Sequence, residues 1–222
     1  MKNYISRYFW FILGVLINSF GIALITKAAM GTSPISSVPY VLSFRFAPSF
    51  GQLTFIFNLF FILGQAVLLR SEFQPIQFLQ ILVNLIFSAC IDLGMYVLSW
   101  FTPDSLVTQV LSLLAGCAVL AAGICIEVAP DVLMVPGEGI VKAISTAFGW
   151  KFGTVKVAFD TTLMATALAL SLFFFGGLQG IGIGTIISAL IVGQFVNLWN
   201  KTLPLIPYIR RLAEPSAGGL SC

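Results

Sequence analysis

Six long runs of apolar residues, separated by short polar or glycine-containing stretches, make up most of the chain. Each run is long enough, or nearly so, to cross the apolar core of a bilayer, which takes about 20 helical residues. The pattern therefore predicts an all-α fold, a polytopic transmembrane helical bundle. The runs cover approximately residues 6–29, 53–70, 76–100, 106–129, 154–175 and 180–200.

Two shorter segments, 34–47 and 136–149, lie between prolines or glycines. A helix over either would be only about 21 Å long at 1.5 Å per residue. We therefore interpret them as half-helices and expect six full crossings. An alternative topology has eight crossings and parallel halves. The positive charges of the loops hardly distinguish the two topologies, and the length of the short segments favours six crossings.

An internal repeat relates the two halves of the chain. A shift of 102 residues superimposes glycines, prolines and membrane-embedded polar residues without gaps, and a shift of 105 residues does so near the end of each half. Chance explains a coincidence of these residue types poorly. The aligned pairs include Gly14 with Gly116, Gly21 with Gly123, Pro34 with Pro136, Gly51 with Gly153, Asn58 with Asp160, and Asp92 with Asn197.

The repeat predicts how the single domain, residues 1–222, is organised. Repeat 1 covers about 8–100, repeat 2 about 110–202, and a cytoplasmic tail follows over 203–222. If each half has three crossings, an odd number, the second half must insert upside down relative to the first. The sequence therefore predicts two inverted repeats.

Composition and charge agree with a membrane protein. Apolar residues make up 59% of the chain and charged residues only 9%, against about 25% charged residues in soluble domains. Basic residues lie before or at the start of the first run and after the last, so the positive-inside tendency places both termini in the cytoplasm. No basic cluster is dense enough for nucleic acid. The basic residues are Lys2, Arg7, Lys201, Arg210 and Arg211.

The sequence offers little for metal or enzyme chemistry. It has no histidine, and its four cysteines show no CxxC spacing. Histidine is the commonest metal ligand and a frequent general base. We therefore expect neither an enzyme nor a bound cofactor or metal.

Two breaks in the helical pattern are candidate parts of a binding site. At the first, Ser33 would cap a short helix that begins at Pro34, after Thr32. At the second, near Asp131, a helix would begin at Pro136 with Glu138 in its first turn. Broken helices at matching positions of two repeats point to a transporter's binding site. The alternative is that both breaks are turns at the membrane surface.

Charged residues inside the apolar runs are the other candidates, because ions at membrane depth usually face the protein interior. Asp92 and Asp160 would lie about 10–12 Å into their helices by helical rise, and we expect both to line one central cavity. Buried caps or interhelical hydrogen bonds are the structural alternative. Lys142 and Lys156 each lie four residues from an acid and would form ion pairs. The candidate substrate- or ion-binding residues are Asp92, Asp160, Asn58, Asn197, Thr32, Ser33, Asp131, Glu138 and Lys142.

Several short motifs resemble a known family. The stretch from Ala29 to Pro34, together with Arg7-Tyr8-Phe9 and Gly21-Ile22-Ala23-Leu24, is similar to the start of the YczE/YyaS/YitT-like bacterial multi-pass membrane proteins. In the second half, Pro136-Gly137-Glu138-Gly139 resembles the corresponding stretch. The resemblance spans about residues 5–200 and implies a bacterial cytoplasmic membrane protein. It brings no established functional residues.

The leading functional hypothesis is a secondary transporter that moves a small polar solute by alternating access. One alternative is the membrane-embedded substrate-binding subunit of an ATP-driven importer. Another is a scaffold or accessory factor that transports nothing. The expected partners are the lipid bilayer and a small-molecule or ion substrate, with no nucleic acid, and a homodimer is a further option.

Overall fold

The computed structural model describes residues 2–70 and 73–213, and within those residues it is helical, without a strand. The all-α prediction is therefore confirmed. A short 3₁₀ turn, Pro75–Phe78, precedes the fourth helix. The α-helices of the described chain are α1 (Lys2–Lys27), α2 (Ser37–Ser43), α3 (Phe50–Leu69), α4 (Leu79–Val97), α5 (Leu106–Val128), α6 (Pro136–Phe148), α7 (Phe152–Phe175), α8 (Ile183–Thr202) and α9 (Leu205–Ala213).

Six helices, α1, α3, α4, α5, α7 and α8, are long and apolar enough to cross a bilayer. Their outer surfaces carry large apolar side chains, such as Phe60 at 62% exposure and Phe173 at 80%, which suit contact with lipid. Helix α2 has 7 residues and α6 has 13, so they reach only about 10 and 20 Å. By helix length and composition, the predicted six long and two short helices are confirmed.

Helices α1 and α5 form the centre of the bundle and run antiparallel. Their backbones approach so closely that glycine is needed at the crossing. A methyl group at Gly21 would lie 2.5 Å from the backbone nitrogen of Leu120, and one at Gly123 would overlap the backbone of Asn18. Small residues permit such close contact between membrane helices.

The contacts of this central pair follow the 102-residue register. Gly14 lies against Glu127, and Gly116 lies against Ile25. Gly116 and Glu127 are the shifted counterparts of Gly14 and Ile25, so the same contact occurs twice with the roles of the halves exchanged. The inverted relation between the complete halves stays a prediction.

The outer helices differ between the two halves. Helices α3 and α4 pack along their lengths, and Asn58 Nδ2 on α3 donates to Asn84 Oδ1 on α4 at 2.7 Å. Helices α7 and α8 make no comparable contact. Each short helix packs on both halves: α2 contacts α3 and α7, and α6 contacts α7 and α3. The second half is therefore more open than the first.

The predicted tail contains a helix that the sequence pattern missed. In α9, Ile206 and Ile209 are fully buried against Cys125 and Ile126 of α5. Arg210 Nη2 of the same helix donates to a side-chain amide oxygen of α8 at 2.7 Å. A search for apolar runs of membrane length overlooks a nine-residue amphipathic helix. The tail beyond residue 213 lies outside the described residues.

Candidate functional site

The second helix break produces the predicted start of α6. Val135 has extended backbone at φ −61° and ψ 150°, and Pro136 occupies the first helical turn, where its missing N–H costs nothing. Glu138 lies in the same turn, and Gly149 ends the helix in the left-handed conformation at φ 68°. Local sequence alone accounts for this element.

At the first break, the predicted helix start at Ser33 is wrong. The Ser33 hydroxyl donates to the hydroxyl of Ser36 at 3.1 Å, and a turn separates it from α2, which begins at Ser37. Gly31 precedes this turn at φ +120°, a conformation that favours glycine. The predicted half-helix over 34–47 is therefore reduced to seven residues.

The first break is packed tightly against the start of α8. The Gly184 N–H donates to the Met30 carbonyl at 2.9 Å, and the Thr32 N–H donates to Thr185 Oγ1 at 3.2 Å. The Ser188 hydroxyl donates to the Thr32 carbonyl at 3.3 Å. Thr32, a predicted binding residue, is fully buried in this contact and does not line the central cavity.

A central cavity of about 340 Å³ lies between the two breaks. Ser33 and Ile35 line it from the first break, and Gly137 and Glu138 from the second. The breaks nearly touch, since a methyl group at Gly137 would lie 2.7 Å from Ile35 Cδ1. The structure thus brings the two breaks together as predicted, while their depth in a bilayer stays a prediction.

Charged side chains gather on one wall of this cavity, where Glu138 of α6 faces Lys156 and Asp160 of α7. Lys156 Nζ and Asp160 Oδ1 form the predicted ion pair at 3.0 Å. The expected pair between Glu138 and Lys142 is absent from the described residues. Lys142 is exposed and lines a second cavity, where its ammonium group keeps its hydration.

Asn58 of α3 also lines the central cavity, as predicted from its alignment with Asp160. Its side chain is 3% exposed and donates to Asn84. The two polar residues aligned by the repeat therefore share one cavity. The hydrogen bond to Asn84 gives Asn58 a structural task as well.

A buried polar pair behind the cavity was not among the predicted site residues. Asn18 of α1 lines the cavity and donates from Nδ2 to Glu127 Oε2 of α5 at 2.8 Å. Glu127 is 3% exposed and interacts electrostatically with Glu138. The sequence showed Glu127 as an ionisable residue near the end of an apolar run. It did not indicate the partner, because Asn18 lies 109 residues away in sequence.

Asp92 is the main correction to the predicted site, because it does not line the central cavity. Its Oδ2 accepts from Ser49 Oγ at 2.5 Å, and its Oδ1 accepts from the Gly51 N–H at 2.8 Å. These groups lie at the start of α3, where the N–H groups of a helix have no internal partners. Asp92 therefore caps a neighbouring helix, which is the structural alternative named above.

We expect replacement of Asp92 by alanine to destabilise the protein by about 1–2 kcal/mol, as for other lost helix caps. Ligand binding in the central cavity should remain unchanged, since Asp92 lies outside it. Thermal unfolding of purified protein measures the first effect, with Asp104→Ala on an exposed loop as the matched control. Loss of solute binding in a normally folded Asp92→Ala protein would contradict this assignment.

The remaining predicted site residues also lie away from the central cavity. Asp131 is exposed and lines the second cavity, and its carbonyl accepts from Arg7 Nη2 at 2.7 Å. Asn197, the counterpart of Asp92, is exposed on α8. Asp92 can cap α3 because α4, which carries it, packs against α3. Asn197 makes no equivalent contact, because α8 does not pack against α7 in this way.

Fold and site together define a class, a multi-helix membrane protein with a partly charged cavity where two interrupted helices meet. Residues 5–201 match the model of a family of unknown function, DUF6198. The chain belongs to this family.

A curated relative supports the resemblance seen in the sequence motifs. The chain is 24% identical over 195 residues to the uncharacterized protein YyaS of Bacillus subtilis (strain 168), which covers 87% of this chain and 92% of that protein. The predicted relation to a YyaS-like family is therefore confirmed. No solved structure matches the chain.

Proposed function

We propose that the protein is a secondary transporter that binds a small polar solute or ion in the central cavity. The observation that carries this proposal is the meeting of both helix breaks with Asn58, Glu138 and Asp160 around one cavity. Non-helical backbone at membrane depth is tolerated where it lines a cavity, and broken helices mark binding sites in many transporters.

A difference between the two breaks favours alternating access. The first break is closed against α8 by the hydrogen bonds of Met30 and Thr32. At the corresponding place beside the second break lies the second cavity, also of about 340 Å³ and lined by Gln65 and Gln80. One break sealed against a neighbouring helix, with a second cavity beside the other break, is the arrangement expected of one state of such a transporter.

Cross-linking the two breaks tests whether they must move. Cysteines at Ile35 and Gly137, bridged by a short bifunctional thiol reagent, should stop solute uptake into proteoliposomes, and cleavage of the bridge should restore it. The solute is first chosen by screening small metabolites for a rise in melting temperature. The single Ile35→Cys variant controls for the reagent. Full uptake by the cross-linked protein would refute alternating access.

We further propose that the end of the bundle carrying Arg7 and Asp131 faces the cytoplasm of a bacterial cell. Arg7 contacts the carbonyl groups of the second break at this end, and α9 with its basic residues packs there too. Positive charge is enriched on the cytoplasmic side of membrane proteins. Labelling of a cysteine at Arg70 only from outside the cell would contradict this orientation.

A further inference from the structure

The central cavity combines apolar walls with one charged wall. Ile22, Leu120, Ile124 and Val192 line its apolar part. Its volume of about 340 Å³ is at the small end of ligand pockets, which span roughly 300–1,000 Å³. A solute that fills it needs an apolar body as well as a polar group.

The charged wall carries two carboxylates, those of Glu138 and Asp160, and one ammonium group, that of Lys156. Lys156 contacts Asp160 at 3.0 Å and also attracts Glu138 from a greater distance, and no salt bridge joins Glu138 to a basic residue within the described chain. Glu127 lies behind Asn18 and interacts with Glu138. An ionised Glu138 therefore favours a positively charged solute group.

The same geometry disfavours an anion. The first turn of α6 would be the natural anion site of the cavity, because a helix N-terminus carries partial positive charge. Glu138 already occupies that turn with its own carboxylate. A second anion placed there would be repelled by Glu138 and by Asp160.

Two aromatic rings strengthen the preference for a cation. Phe87 and Phe152 both line the cavity, and ring faces attract ammonium groups, most strongly where water is excluded. Phe87 is only 4% exposed. An organic cation would therefore find both a counter-charge and aromatic surface.

The cavity also has an opening of apolar character. Val157 of α7 is 67% exposed and yet lines the cavity, together with Gly193 of α8. The opening lies between α7 and α8, which do not pack along their lengths. In a bilayer this side faces lipid, where a solute with an apolar body is enriched.

From these observations we propose that the cavity binds a monovalent organic cation with an apolar body, such as a hydrophobic amine or quaternary ammonium, with Glu138 as its principal counter-charge. This proposal rests on the central cavity being the solute site of the transporter described above, and it names the solute class.

Binding of benzyltrimethylammonium to the purified full-length protein, measured by calorimetry, tests the proposal. Phenylacetate, an anion with the same ring, is the matched control. We expect the cation to bind at least tenfold more tightly than the anion. The isosteric variant Glu138→Gln should lose at least tenfold in affinity for the cation, whereas Asp104→Gln on an exposed loop should lose none.

A second variant predicts a gain rather than a loss. Lys156→Met removes the ammonium group that neutralises Asp160, so the cation should bind severalfold more tightly. A purely structural ion pair would not give this gain. The Lys156→Met variant also keeps the proposal testable if Glu138→Gln fails to fold.

The outcomes separate this proposal from the proposed transport function. Equal or tighter binding of phenylacetate, or cation binding unaffected by Glu138→Gln and Lys156→Met, would overturn the solute class. Transport by movement of the two breaks would still stand on the cross-linking experiment. Failure of that experiment with cation binding as described would instead leave a cation-binding protein that does not transport by alternating access.

Discussion

Replacement of Gly123 by alanine should be among the most damaging single changes in this protein. The added methyl group would overlap the backbone of Asn18 on α1, where no side-chain rearrangement can relieve the clash. The two central helices must then move apart. Overpacking costs typically about 1–3 kcal/mol, occasionally more, and we expect a loss of about 3 kcal/mol because backbone is displaced. Thermal unfolding in detergent and the monodisperse yield measure the effect.

Two further variants make this prediction specific. Gly21→Ala introduces the corresponding clash from the other helix, against Leu120, and should cause a loss of similar size. Gly153→Ala, on exposed α7 with no atom within 4 Å of the added methyl, should be tolerated. Comparable stability of Gly123→Ala and Gly153→Ala proteins would show that α1 and α5 are not in close contact.

Replacement of Asn18 by leucine should cause the second large effect. The Asn18 amide donates at 2.8 Å to the side chain of Glu127, which is 3% exposed. The backbone of Val135 also interacts with Glu127, and a buried polar group that loses one hydrogen bond costs about 1–3 kcal/mol. We therefore expect a destabilisation of about 1–3 kcal/mol, measured by thermal unfolding.

A double-mutant cycle isolates this interaction from the effect of a larger apolar side chain. Asn18→Leu combined with Glu127→Met removes both partners and should recover most of the lost stability. Asn197→Leu, at an exposed position of α8, should change stability little. If the double variant were as unstable as the sum of the single changes, the hydrogen bond would not be the cause.

The positions of the long helices could be predicted from the sequence. An apolar run of membrane length is a local property, so the six long helices lie close to the predicted runs. The start of α6 depends on Pro136 and the residues beside it. The Lys156–Asp160 pair depends on a spacing of four within one helix. All three follow from interactions between residues near each other in the chain.

Part of the cavity was also predictable, because the repeat aligned positions that line it. Pro34 and Pro136 marked the two breaks that meet there, and Asn58 and Asp160 proved to line the same cavity. The alignment predicts how far along its helix a residue lies, and this is sufficient where the two halves pack in the same way. The prediction failed for Asp92 and Asn197, because the helices that carry them pack differently in the two halves.

Only the tertiary structure decided which polar residues face the cavity. Asp92 is turned to the start of α3 because α3 packs on α4. Glu127 is buried against Asn18 from a distant helix, and α9 is held by side chains of α5. The sequence determined where helices form, since this depends on neighbouring residues. The direction in which each polar side chain points depends on contacts between helices far apart in the chain, and only the packing of those helices determines it.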